Sequence, residues 1–168
     1  ALTAAHDAGI TFYDTADVYG AGRSELQVGH FLKGAGAGSV VATKVGRTAE
    51  LFPNSYTKSA IADHLRASAS RLGVDRLDLV QLHCVPPVLE DGSIFNIMDE
   101  MVAEGLTAHW GASVETLAEA RICMAQPGCA SLQIIFNLFR QNAAWEIFDE
   151  AKDKGVGIIV RLPLASGL

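Results

Sequence analysis

VVATKV, residues 40–45, is an almost unbroken apolar and β-branched run carrying one lysine near its end. A run of this kind is buried on both faces when helices flank it, which is how strands of a parallel sheet read. Outward from it the same alternation recurs. ITFYDTA (10–16) precedes it and LDLVQLH (77–83) follows, with further strands expected over 106–113, 130–137 and 156–162. Amphipathic segments separate them. A helix tail over 1–8 is closed by Gly9, and a helix over 24–33 has Ser24 as its N-cap and Leu26, Gly29 and Phe31 turned inward. A helix over 56–72 places Ile61, Leu65, Ala69 and Leu72 at helical spacing. Further helices are expected over 93–104, with Ile94, Ile97, Met98 and Met101 on one stripe, and over 115–124 and 143–154. The adjacent prolines make 84–92 a loop. Six strands joined by five crossovers describe an α/β protein. A closed eight-stranded barrel takes at least about 200 residues. The pattern therefore fits either an open doubly wound sheet or a barrel without its ends. Ala1 rather than Met opens the chain inside a helix, and PLASGL stops just after a strand, so both ends read as cut and the second architecture is favoured.

Length and composition narrow the functional classes. The 168 residues suffice for one domain with a substantial core, and no linker or charge run divides them, so 1–168 is expected to be a single domain. A net charge of -6 argues against a nucleic-acid partner, whose backbone needs a basic patch. No apolar run approaches the length of a membrane span, and no basic-then-apolar leader opens the chain, so no membrane partner is expected. Cys84, Cys123 and Cys129 are odd in number and form no CxxC pair. Free thiols in a reducing cytoplasm are the expectation, with no disulfide framework and no metal site.

Polar groups follow the first three strands in turn: Asp14 and Tyr19 after ITFYDTA, Lys44 in VVATKV, and His83 at the end of LDLVQLH. Barrels build active sites at the carboxyl ends of their strands. Carboxylate, phenol, ammonium and imidazole together suit proton transfer to a polarised oxygen. Taken singly, each has an ordinary explanation: a half-buried aromatic, a solvated lysine, a turn-forming aspartate, a satisfied core histidine. Gly20-Ala21-Gly22 gives a tight turn and is not a dinucleotide phosphate loop, since no GxGxxG opens a helix after a strand.

DAGITFYDTADVYGAGRSELQVG (7–29), VVATKVGR (40–47), RLGVDRLDLVQLHCVPP (71–87) and VRLPLASGL (160–168) together resemble the aldo-keto reductase superfamily, in order and in spacing along essentially the whole chain. The resemblance implies a (β/α)8 TIM barrel, represented here by about its second to seventh strands. It also implies reduction of aldehydes or ketones with NADPH, or sometimes NADH. The family's first strand would precede Ala1. Its last strand, and most contacts to the adenosine and 2′-phosphate end of the cofactor, would follow Leu168.

Carried onto this chain, the resemblance makes Asp14, Tyr19, Lys44 and His83 a catalytic tetrad. Tyr19 becomes the proton donor, although a free phenol has a pKa of about 10. Lys44 is the natural group to favour its phenolate. Asp14 would hold Lys44 and face the cofactor, and His83 would orient the carbonyl oxygen. Ser113 and Gln133 match carboxamide-binding positions for nicotinamide. Val114 stands where many relatives have Asn. Arg161 stands where many stack an aromatic ring, a role a guanidinium can also fill. Pro163 and Leu164, where the last strand leads into the cofactor loop, become candidate cofactor contacts. Asn137 and Arg140 are read either as lining the mouth or as capping the strand end. Asp17 and Glu25 are read as shaping the loop and helix start, Trp110 as packing against a strand, and Cys84 as a pocket wall. A non-catalytic, cofactor-sensing subunit and an inactive fragment are the competing readings. For the fragment, self-association along open barrel edges is the expected compensation.

Overall fold

Both faces of VVATKV are covered: Val41 to Val45 are all buried, and only Val40 at the start of the run is exposed. The computed structural model describes residues 1–83, 89 and 92–167. In chain order the helices are α1 (Leu2–Asp7), α2 (Arg23–Lys33), α3 (Lys58–Leu72), α4 (Ser93–Ala103), α5 (Leu117–Met124), α6 (Asn142–Glu146) and α7 (Phe148–Asp153). The strands are β1 (Phe12–Asp14), β2 (Val40–Val45), β3 (Leu77–Leu82), β4 (Thr107–Ser113), β5 (Cys129–Ile135) and β6 (Gly157–Arg161).

The six strands form one sheet in the order β1-β2-β3-β4-β5-β6, every neighbour parallel. A doubly wound sheet reverses its strand order at a switch point. Here there is no reversal. A hydrogen bond then decides between a flat sheet and a curled one. Gln133 Nε2 on β5 donates to Asp14 Oδ2 on β1 at 3.1 Å. In a flat sheet those strands, four spacings of about 4.8 Å apart, would lie about 19 Å from one another. Two short side chains cannot span that distance, so the sheet curls into a half-barrel with Asp14 and Gln133 facing its interior. The architecture is part of a (β/α)8 barrel.

Helices cover the outer face. Ile61, Leu65 and Leu72 of α3 and Ile94, Phe95, Met98 and Met101 of α4 are buried against the strands. Trp110 on β4 is fully buried, stacks on Phe95 at 5.8 Å and donates from its indole nitrogen to Asp99 at 2.6 Å. Helices α2 and α3 approach closely at Gly29, where a Cβ would sit 2.5 Å from the Arg71 carbonyl oxygen. Only glycine allows that crossing.

Several expected boundaries move. Helix α2 begins at Arg23 behind Gly22, whose φ of 86° suits glycine, so Ser24 lies inside the first turn; its hydroxyl is 2.7 Å from that of Thr15. Leu26 is half exposed, and Glu25, Val28 and Phe31 form the inward face with Gly29. Helix α5 starts two residues late because Thr116 and Glu119 close a capping box. The helix expected over 143–154 divides at Ile147, which is fully buried. Among the described residues, no helix is long and apolar enough to cross a membrane.

Candidate active site

Lys44 reaches the carboxyl end of β2 almost wholly buried. Its Nζ donates to Asp14 Oδ2 at 2.6 Å and to the Thr15 carbonyl at 2.7 Å. Burial pushes the ammonium's pKa down, and the Asp14 charge works against that shift. Register places Lys44 beside Gln81, and Gln81 Nε2 donates to Asp14 Oδ1 at 3.2 Å. With Gln133 on its other side, the Asp14 carboxylate is held from β2, β3 and β5 at once. A buried charge pair needs such additional hydrogen bonds to offset its desolvation.

Tyr19 lies on the turn after β1 and is 41% exposed. Gly20, Ala21 and Gly22 follow it with φ of 58°, 54° and 86°, so the chain turns sharply to enter α2, and the alanine among them is strained. The Tyr19 ring gathers the rest of the group. Lys44 Nζ stands 5.1 Å from its centroid, and the His83 ring meets it edge-on at 5.7 Å. Burial first, and then the Asp14 charge, raise the phenol's pKa, opposed by Arg161 and Arg47. Lys44 therefore does not draw the phenol down as expected. Its charge is engaged by Asp14, and burial penalises the phenolate. His83 is buried and pushed down to about 4 by desolvation, then by Lys44 and Arg47, so its ring is neutral near pH 7. Its Nδ1 has no partner among the described residues.

The candidate nicotinamide positions gather at the next strand ends. Ser113 and Gln133 are register partners on β4 and β5, both buried. Arg161 ends β6, and its Nη1 donates to Ser113 Oγ at 3.2 Å while Nη2 pairs with Glu115 at 2.5 Å. Val114 is buried in the core, and its backbone N–H donates to the Gln133 carbonyl. Pro163 and Leu164 follow β6 in an exposed turn. Pro163 lines a cavity of about 380 Å³ with Leu138 and Val160, and none of the four tetrad candidates lines it. Asn137 caps a turn, its Oδ1 accepting from the backbone of Phe139 and Arg140. Arg140 donates to the Glu115 carbonyl at 2.8 Å. Cys84 lies outside the described residues. Cys123 and Cys129 are buried free thiols, each pushed up to about 12 by desolvation.

The aldo/keto reductase family model matches residues 1–168. The chain belongs to that family. An uncharacterized oxidoreductase of Mycobacterium bovis is 34% identical to this aldo-keto reductase chain over 162 residues, covering 95% of it and 48% of the relative. The chain thus spans about half the length of the curated relatives it matches. The holo form of an aldo-keto reductase from Bacillus halodurans superimposes with a TM-score of 0.83 at 28% identity, over 97% of this chain and 56% of that one. The glycerol dehydrogenase of Gluconobacter oxydans gives a TM-score of 0.84 at 26% identity, over 99% and 53%.

Three contributors to the candidate site were not singled out in the sequence. Gln81 holds Asp14, Arg47 bears on both Tyr19 and His83, and Glu115 anchors Arg161. Gln81 did leave a signal, being an amide inside an otherwise apolar run. Arg47 and Glu115 are loop residues whose targets are 28 or more positions away, and no local pattern marks them. Among the described residues, no cluster of three or more His, Cys, Asp or Glu is arranged to hold a metal ion.

Proposed function

We propose that this chain carries the proton-transfer centre of an NAD(P)H-dependent carbonyl reductase, which converts small aldehydes or ketones to alcohols. The observation that supports it most is the convergence of Asp14, Lys44 and His83, from three successive strand ends, around the Tyr19 ring.

In this reading Tyr19 donates the proton to the carbonyl oxygen. Its raised pKa keeps the phenol protonated near neutrality, the form a donor requires. The phenolate left behind faces the cationic groups Arg161 and Arg47, which lower its cost. Its partial exposure lets solvent return the proton. Neutral His83 has a ring N–H to offer the carbonyl oxygen and so orients it against the phenol. Asp14 fixes Lys44 in place.

A reduced nicotinamide, when bound, supplies hydride to the carbonyl carbon. The donor set at the neighbouring strand ends fits such a ring: a buried hydroxyl at Ser113, a buried amide at Gln133, and Arg161, whose buried Nε has no partner among the described residues. These residues would hold the carboxamide and the ring face, with Asp14 on the inner side and Pro163 and Leu164 on the outer. The proposed donor is NADPH, with NADH as the alternative. The proposed compartment is the cytoplasm, in keeping with the free thiols of Cys123 and Cys129. Residues 1–168 would act as one domain. Among the described residues, strands β1 and β6 are each paired on one side only, which supports self-association along those edges when this stretch stands alone.

The test uses the full-length protein with NADPH and a panel of aldehydes and ketones, following nicotinamide absorbance. Turnover of at least one carbonyl is expected. Tight cofactor binding without turnover across the panel would overturn the catalytic reading in favour of a cofactor-sensing one.

A further inference from the structure

We infer that Asp17 and His64 form a proton-linked latch beneath the turn that carries Tyr19, making both positioning residues for that phenol. Asp17 lies two residues before Tyr19 on the turn after β1, and its side chain is 3% exposed. Apart from a weak contact from the Val18 backbone N–H, neither carboxylate oxygen has a hydrogen-bond partner among the described residues. A buried carboxylate left in that state is costly unless a proton or a cation answers it. The nearest candidate is His64 on α3, whose Nδ1 lies 3.5 Å from Asp17 Oδ2.

From β2, Lys44 also bears on Asp17, but its ammonium is already held by Asp14 and the Thr15 carbonyl. From α2 the carboxylate of Glu25 faces Asp17, and from α3 so does Arg71. Those two satisfy each other, with Arg71 Nε donating to Glu25 Oε2 at 2.6 Å, and Thr43 donates to the other Glu25 oxygen. Thr48 and Glu50, between β2 and α3, line the same cavity of about 420 Å³ as Asp17, His64 and Arg71. Glu50 adds a further negative charge. Burial and Glu25 raise the pKa of Asp17, while His64, the Val18 backbone N–H and Arg71 work against that shift. His64 is 24% exposed on that cavity, so it can exchange its proton with solvent.

The latch acts through the backbone. The Asp17 N–H donates to the Lys44 carbonyl at 3.4 Å, and the Tyr19 N–H donates to Ala16 at 3.2 Å. The turn is therefore tied to β2 at its start, while the Asp17 side chain ties it to α3. With a proton on His64, the pair pulls the turn toward α3. When the proton leaves, Asp17 and Glu25 face one another without that attraction, and the Val18–Gly20 segment relaxes. The consequence for catalysis rests on Tyr19 being the donor, but the latch itself can be read without any turnover.

The experiment follows the backbone amide signals of Val18, Tyr19 and Gly20 in the full-length protein, from about pH 5.5 to about pH 8, a range in which imidazole side chains change charge. His83, which also touches Tyr19, titrates at about 4 and lies outside this window. In the wild type the three amides are expected to shift together in one step. In His64→Gln and in Asp17→Asn that step should be lost, with His64→Gln fixed near the high-pH positions. If one variant fails to fold, the other carries the comparison. The same step in a folded variant, or no step in the wild type, overturns the latch. Since no activity is measured, this outcome is independent of the carbonyl-reductase reading.

Discussion

The carboxyl ends of β1 to β3 and those of β4 to β6 both carry polar side chains, yet they hold them differently. On the first side Lys44 is 1% exposed, Gln81 is fully buried, and both bind Asp14. Strands β2 and β3 are paired along both edges. On the second side β6 has one neighbour, Val160 and Leu162 are close to half exposed, and Arg161 reaches out to the solvent-facing Glu115. Charges in the first region sit where water screens them poorly, so their placement has strong leverage on pKa and geometry. Charges in the second are screened, and their arrangement can yield to an incoming ligand at low cost. Proton transfer needs the first kind of site and ligand capture the second.

The largest expected effect lies on the β1–β3 side. Tyr19→Phe should lower carbonyl reduction by about 10²- to 10⁴-fold, the usual contribution of a general acid, with cofactor affinity almost unchanged. Steady-state rates and cofactor titration check both halves, and a Phe variant with wild-type rates would remove Tyr19 from the donor role. Packing should show the same contrast. Leu82→Ala on β3, where the side chain is fully buried, should cost about 2–5 kcal/mol, whereas Val160→Ala on β6 should cost under about 1 kcal/mol. Comparable urea midpoints for the two variants would break the comparison.

A pH prediction comes next. The folded pKa of His83, about 4, is below the unfolded value of about 6.5, so the unfolded chain binds the proton more tightly between them. Stability should thus be fully present above about pH 6.5 and fall as pH drops toward 4, by on the order of 3 kcal/mol. His83→Gln should flatten that part of the stability profile, and an unchanged acid limb in urea titrations would argue against it. The smallest effect belongs to the open side. Arg161→Met breaks a partly exposed pair with Glu115 and should move stability by no more than about 1 kcal/mol. Cofactor affinity should fall about tenfold, roughly 1.4 kcal/mol, as read by fluorescence titration.

Much of this was legible in the chain. VVATKV and LDLVQLH announced parallel strands because burial on both faces demands unbroken apolar runs. Strand and helix order followed from the alternation of periods, and the family from motifs that keep their spacing. Boundaries shifted where local chemistry competed. Gly22 took the start of α2 from Ser24, the Thr116–Glu119 capping box delayed α5, and the burial of Ile147 broke a helix that propensity alone would have continued.

The identity of the polar groups at the strand ends was fixed by the sequence alone, since each sits where its strand stops. What surrounds each of them was decided by tertiary structure. The bond from Gln133 to Asp14 joins residues 119 positions apart and exists only because the sheet curls. The upward shift of the Tyr19 phenol, against the expectation drawn from Lys44, has the same origin: Asp14 engages the ammonium, and burial penalises the phenolate. Local patterns record which faces are apolar. They do not record which charges meet inside a barrel, because those distances depend on closure and register summed over many strands.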